Sequence, residues 1–269
     1  MRRRHVFKKD TAADPKFNSK IVGKFINMVM LDGKKAVAEQ IVYDAFEKVK
    51  TVLNEPDALK IFHKAIDNVR SFGFAFSSCT PPAKGTPIFD IADDEMEFGV
   101  GIHGEPGRRT EKIQSADVLA QRIVADLMDD LGVRSGDEIV LLINGFGATP
   151  LMELYLFNNS VSNELGKAGV SIHKTLVGNY MTSIDMAGAS VTILKLDAEL
   201  KSLIDYPASA PALVWGDLVS EQGAAAIAAI KAIGRALNIA PGADSFSNAD
   251  TQRTAAVPGG DGIYEADGM

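Results

Sequence analysis

The hydrophobic period of the chain changes near residue 70, and that change limits the folds open to it. Before it, apolar residues recur at spacings of three and four. Ile21, Val22, Phe25, Ile26, Val29 and Met30 follow Ser19; Val37, Ile41, Val42, Ala45, Phe46 and Val49 follow Lys34 and Lys35; Leu59, Phe62, Ile66 and Val69 follow Pro56-Asp57. Such stripes form one face of a helix. Three helices are therefore predicted, from Ser19 as N-cap to about Leu31, from Lys34 to about Leu53, and from Pro56-Asp57 onward, with residues 19 to 70 helical throughout. After residue 70 the pattern becomes short apolar runs bounded by glycine. The stretches 96–102, 138–144, 170–180 and 189–196 read as strands, and Thr110 to Leu131 reads as a helix. A second helix is predicted to about Lys167, with Thr149 as its cap and Pro150 as its first residue. The expected fold class is α/β, a mixed-sheet layer domain with an amino-terminal all-helical segment. Gln222 to Leu237 reads as an alanine-rich helix, and the sequence beyond Pro241 loses its apolar period, as a disordered tail does.

Charge divides at the same place. Residues 1 to 70 hold 15 Lys and Arg against 9 Asp and Glu, and the remainder holds 13 against 26, within a net charge of −7. Such a split implies two segments with different partners. The single cysteine, Cys79, excludes an internal disulfide and fits a reducing compartment. No apolar run reaches the ~18–20 residues of a membrane span, and no apolar signal core follows the basic start, so a cytoplasmic protein is expected.

One stretch carries a candidate site. In FGVGIHGEPG, Phe98 to Gly107, one imidazole stands among Gly99, Gly101, Gly104, Pro106 and Gly107. Glycines at this density allow positive φ and close approach of backbone to ligand. His103 is expected at a strand end, where an imidazole with an ordinary pKa near ~6.5 can donate, accept or attack. Spacing alone leaves two readings open, a structural histidine in a glycine turn and a reactive one. Elsewhere His63 reads as an ordinary helix histidine and His173 as a packed or surface one. Cys79 reads as an inert small residue, Asp185 as a turn-capping acid or part of a polar network, and GFGATP (145–150) as a packing turn rather than a phosphate loop.

The run ADDEMEFGVGIHGEPG resembles the K subunit, or K domain, of dihydroxyacetone kinases. GFAFSSCTPPAKGTPIF (Gly73 to Phe89), LLINGFGATPLMELY (Leu141 to Tyr155), NYMTSIDMAGASVTILKLD (Asn179 to Asp197) and PALVW (Pro211 to Trp215) extend the resemblance over about residues 72 to 216. The resemblance implies that His103 bonds covalently to the carbonyl of dihydroxyacetone or another short ketose as a hemiaminal, with His103 and Gly104 contacting substrate. It also implies a phosphoryl donor, ATP or a donor subunit, that the chain does not bind directly, and it admits a homodimer. The family's SGHEP-type loop, its GD-containing acid/base segment and its nucleotide domain do not occur here, so an incomplete enzyme is expected.

The amino-terminal stretch has its own resemblance. Arg2 to Arg4, DPKF (Asp14 to Phe17), KFIN (Lys24 to Asn27), MLDGKKAVAE (Met30 to Glu39), IVYDAFE (Ile41 to Glu47) and AIDNVR (Ala65 to Arg70) resemble the start of bacterial small-subunit ribosomal protein seven. That resemblance implies ribosomal RNA contacts by Arg2, Arg3, Arg4, Lys8, Lys9, Lys34 and Lys35, and a chimeric chain. The alternative function is then an RNA-binding fragment with a passenger domain. The expected segments are 1–70, 72–216, an alanine-rich helix at 217–240 and a tail at 241–269.

Overall fold

The computed structural model describes residues 12–101, 107–210 and 213–215. The described residues fall into two compact units that divide between Asp205 and Tyr206. The first contains three amino-terminal helices, α1 (Lys20–Val29), α2 (Lys35–Leu53) and α3 (Ala58–Asp67). Ser19 caps α1 by accepting from the Val22 amide, and Asp57 caps α3 by accepting from that of Lys60. Their apolar stripes meet in a core of Val22, Ile26, Ala38, Val42, Phe46 and Ala58, with the rings of Phe17 and Phe62 tilted against Phe46. Asp14 is buried there and accepts from the Tyr43 hydroxyl and the Phe17 amide.

The rest of this unit is a six-stranded mixed sheet in the order β3-β2-β1-β6-β4-β5. Its elements are β1 (Val69–Ala75), β2 (Glu95–Phe98), β3 (Arg109–Lys112), α4 (Ala116–Leu131), β4 (Glu138–Gly145), α5 (Leu151–Lys167), β5 (Ser171–Gly178), β6 (Gly188–Lys195) and α6 (Ala198–Asp205). The β4–β5 pair is parallel, as expected of two strands joined by a crossover helix, and the other pairs are antiparallel. Helices α4 and α5 cover one face. Their Leu119, Ile123, Leu127, Leu154, Phe157 and Val161 pack on Phe74, Leu141, Ile143, Val191 and Ile193 of the strands. In the second unit β7 (Ala208–Ala210) pairs antiparallel with β8 (Leu213–Trp215).

The mixed α/β class is as expected, and no strand falls within residues 21–53. Four local expectations are corrected. Helix α3 ends at Asp67, and Val69 and Arg70 open β1; they pair there with Leu194 and Ile193 of β6, and this pairing outweighs the helical spacing of Val69. The helix predicted from Thr110 starts at Ala116, after a cap by Ser115, because Arg109–Lys112 forms an edge strand against β2. The strand predicted to reach residue 102 ends at Phe98, where Gly99 takes a φ of +83°. Thr149 does not cap α5; Pro150 holds that position without a side-chain cap, and the Thr149 hydroxyl bonds elsewhere. The alanine-rich stretch and the tail at 217–269 lie outside the described residues.

Candidate functional site

The sheet brings several loops to one end. Ala75 is level with Gly188, Gly145 with Ala189, and Asn144 with both Ser190 and Gly178. The segments 76–94, 146–150 and 179–187 therefore gather there, and hydrogen bonds tie them together. Asn144 is fully buried; its Oδ1 accepts from the Tyr180 and Met181 amides, and its Nδ2 donates to the Met181 carbonyl. The Ala187 amide donates to Ser77 Oγ at 2.8 Å, and the Thr80 amide donates to Asp185 Oδ1 at 2.7 Å. Asp185 is thus a bridge between loops 105 residues apart rather than a local turn cap. The glycine turn after β4 is a packing turn: a Cβ on Gly145 would meet Asn179 and, at 2.8 Å, Leu154.

The stretch singled out in the sequence enters this end on the sheet face opposite α4 and α5. Val100 is buried with Ala75, Cys79, Phe146 and Met186. The backbone here lies directly on β1: a Cβ on Gly73 would stand 2.5 Å from the Val100 carbonyl oxygen, and the Gly99 amide donates to the Gly73 carbonyl at 2.8 Å. The chain returns at Gly107, and the Arg108 amide donates to the Phe98 carbonyl at 2.9 Å. His103 and Gly104 belong to residues 102–106, outside the described residues, as do Arg2, Arg3, Arg4, Lys8 and Lys9.

Glu97, before this stretch, is tied to Gly107 and Thr110 after it. Glu97 is 7% exposed; its Oε2 accepts from the Gly107 amide at 2.9 Å, and its Oε1 accepts from the Thr110 hydroxyl. Sequence reasoning missed Glu97 and Thr110. The available signal was an acid between Met96 and Phe98 in a short strand, where an exposed position would ordinarily alternate with buried ones. Beside it Arg122 stacks over Phe98 at 4.3 Å and forms a two-pronged pair with Glu111 at 2.8 and 2.9 Å. That guanidinium holds the Glu111 carboxyl below the usual range.

A separate cavity of 210 Å³ lies on the helix-covered face, lined by Phe74, Phe76, Phe157, Gln114 and Glu153 among others. Alternation along β1 sends Phe74 and Phe76 toward this cavity and Gly73 and Ala75 toward Val100. His173 sits between carboxylates, with Nε2 at 2.7 Å from Asp205 and Nδ1 at 3.5 Å from Glu138, and His63 packs edge-on to Phe62. Lys34 and Lys35, at the start of α2, are exposed and paired with Asp32 at 3.7 Å and Glu39 at 3.5 Å. Among the described residues no three His, Cys, Asp or Glu side chains group as metal ligands, and no helix is long and apolar enough to cross a membrane.

A family model described as Dak1 domain matches residues 35–212. This span overlaps the stretch Lys35 to Arg70 that resembles the ribosomal protein. The dihydroxyacetone-binding subunit DhaK of the PTS-dependent dihydroxyacetone kinase 1 of Listeria innocua is 51% identical, over 51% of this chain and 41% of that protein. The corresponding subunit of the PEP-dependent kinase of Escherichia coli is 36% identical, over 68% of this chain and 59% of that protein. Among solved structures, a dihydroxyacetone kinase operon co-activator, Dha-DhaQ, superposes with a TM-score of 0.55 at 31% identity, covering 60% of this chain and 50% of that one. The chain spans about half the length of the curated relatives it matches.

Proposed function

Because the chain belongs to the Dak1 domain family, we propose that it is a ketose-binding protein of the dihydroxyacetone kinase K type, holding dihydroxyacetone or another short ketose on His103. The observation that carries this reading is the Dak1 domain match over residues 35–212, a span that includes GIHGEPG, beside 51% identity over 136 residues to a dihydroxyacetone-binding subunit. The unprotonated ring nitrogen of a neutral imidazole adds to the ketone carbon as the C=O π bond breaks, the oxygen takes up a proton, the other ring nitrogen gives up its own, and a neutral hemiaminal with a hydroxyl results. The ring must be unprotonated to attack, which an imidazole of ordinary pKa is at neutral pH. An adduct of this kind needs a carbonyl and so selects ketoses over glycerol. It also fixes the hydroxyl to be phosphorylated, an orientation effect.

His103 is the proposed catalytic residue, with Gly104 as a substrate contact. Phosphoryl transfer would draw on a donor that the chain does not carry, ATP or a donor subunit of the kind that "PTS-dependent" and "PEP-dependent" name in the relatives. The test is calorimetric titration with dihydroxyacetone and glycerol, together with a phosphorylation assay with ATP alone. Binding of the ketose only, without turnover, is expected. Equal binding of glycerol contradicts a carbonyl adduct.

A second reading, a ketose sensor that passes on no phosphoryl group, is favoured by the 31% identity to an operon co-activator. Failure to turn over after addition of a complete donor system, with ketose binding intact, selects it. The proposed RNA role of Arg2, Arg3, Arg4, Lys8, Lys9, Lys34 and Lys35 is supported by the exposure of Lys34 and Lys35, whose present partners are carboxylates of this chain.

A further inference from the structure

Glu97 has no evident reason to be a carboxylate if it serves packing alone. It lies beside Ala75 across the β1–β2 pair and beside Thr110 across the β2–β3 pair, and it is 7% exposed. No ion pair to it occurs among the described residues, and a buried carboxylate without a cation is costly unless hydrogen bonds satisfy it. Two donors do so, the Gly107 amide and the Thr110 hydroxyl, and both belong to the returning arm of the loop, whereas Glu97 itself lies on the outgoing arm. No side chain fits at position 107 in this backbone, because a Cβ there would stand 2.5 Å from Glu97 Oε2 and 3.0 Å from the Phe98 carbonyl oxygen. On the outgoing side the Gly99 amide is fixed to β1 through the Gly73 carbonyl at 2.8 Å.

We propose that Glu97 is a positioning residue. Its carboxylate fixes the return of the chain at Gly107 and Thr110 against β2, and adduct formation at His103 depends on that anchor. The second half of this statement rests on the ketose-binding reading above; the first does not. The geometry requires two hydrogen-bonding groups on one side chain, an acceptor for the Gly107 amide and a partner for the Thr110 hydroxyl, which can donate or accept. Glutamine retains this capacity, since its carbonyl accepts from Gly107 and its amide donates to a Thr110 hydroxyl turned to accept. Leucine keeps similar bulk and removes both acceptors. Thr110→Val removes one of the two bonds and leaves Glu97 in place.

The experiment compares wild type, E97Q, E97L and T110V in the full chain. Amide exchange at Gly107 is followed by NMR on protein with isotope-labelled glycine, and adduct yield with dihydroxyacetone is read by intact mass. Thermal unfolding verifies that each variant is folded. Protection at Gly107 is expected in wild type and E97Q and lost in E97L. Adduct yield in E97L is expected to fall about tenfold, the scale of one or two net hydrogen bonds, with T110V between and E97Q near wild type. Rescue by glutamine is the signature that loss of fold would not give. Wild-type protection and yield in folded E97L overturn the proposal, as does an E97Q that behaves like E97L. If E97L does not fold, T110V with unchanged exchange at Gly107 and unchanged yield overturns it. If wild type forms no adduct, the ketose-binding reading falls, and Gly107 exchange alone decides the role of Glu97.

Discussion

The hydroxyl of Thr149 donates to the carbonyl of Gly188 and accepts from its amide, each at 2.8 Å, so one side chain satisfies both backbone groups of one residue at the start of β6. Thr149 and Gly188 are both buried, and a Cβ on Gly188 would stand 2.7 Å from the Ala75 Cα, so the strand end cannot shift to find other partners. Thr149→Val should destabilise the protein by about 2 kcal/mol, because it leaves the buried Gly188 amide without that partner and the Gly188 carbonyl with the Phe146 amide alone. Thr149→Ser should cost less than half as much. Urea unfolding of the two variants checks this; equal losses would mean that the methyl group, not the hydroxyl, matters.

Titration at the two pH extremes tests two other contacts. Arg122 holds the Glu111 carboxyl below its ordinary range, chiefly through the side-chain hydrogen bond. A depressed carboxyl contributes stability that is present above the unfolded pKa, near ~4.3, and is lost as pH falls through the folded one. Acid unfolding should begin at higher pH in Arg122→Ala, which also loses the contact over Phe98. At the other extreme, burial first and then the Asp14 hydrogen bond raise the Tyr43 hydroxyl to about 12. A raised phenol stabilises fully below the unfolded value near ~10 and loses that contribution as pH rises through the folded value. Spectrophotometric titration of tyrosinate should show a late-ionising group near pH 12 that disappears in Tyr43→Phe.

Lys64 on α3 reaches both Asp197 and Glu199 at the start of α6, and the two carboxylates raise its pKa. All three side chains are substantially exposed to water, at 32%, 42% and 41%. Lys64→Met should therefore cost under about 1 kcal/mol, and the difference from wild type should shrink in high salt. A loss that persists undiminished in high salt would show that packing of the stem, not charge, is responsible.

The RNA reading makes its own prediction. Affinity for ribosomal RNA should fall with salt, and replacing Arg2, Arg3 and Arg4 by Ala should reduce both affinity and salt slope. Filter binding across a salt series checks it. Binding that is indifferent to salt contradicts phosphate contacts.

The parts of the fold that sequence made legible are those where local pattern and tertiary role agree. Ser19 and Asp57 cap helices as their residue types imply, and Glu138–Gly145 and Gly188–Lys195 form strands because their apolar runs are buried on the sheet. Arg109–Lys112 was hidden, because Arg-Thr-Glu-Lys carries no apolar period; it is a strand only through its pairing with β2. Val69 and Arg70 ended a helical stripe by spacing and began a strand by pairing. In the site, glycine density marked the loop, but Gly107 is confined by a carboxylate ten residues earlier, and Thr80 is held by an acid 105 residues later. Partners at such separations leave no trace in a local pattern.

Intact-mass analysis of the full chain with and without dihydroxyacetone, for wild type, His103→Ala, His63→Ala and His173→Ala, tests the central claim most directly. The account predicts a ketose-dependent mass increase in wild type that is lost in His103→Ala and retained in the other two variants. It also predicts a partial yield, because the chain matches only 41% of a dihydroxyacetone-binding relative's length, and a site with fewer contacts offsets less of the ligand's lost freedom. An adduct that survives in His103→Ala, or none in folded wild type at saturating ketose, would contradict it.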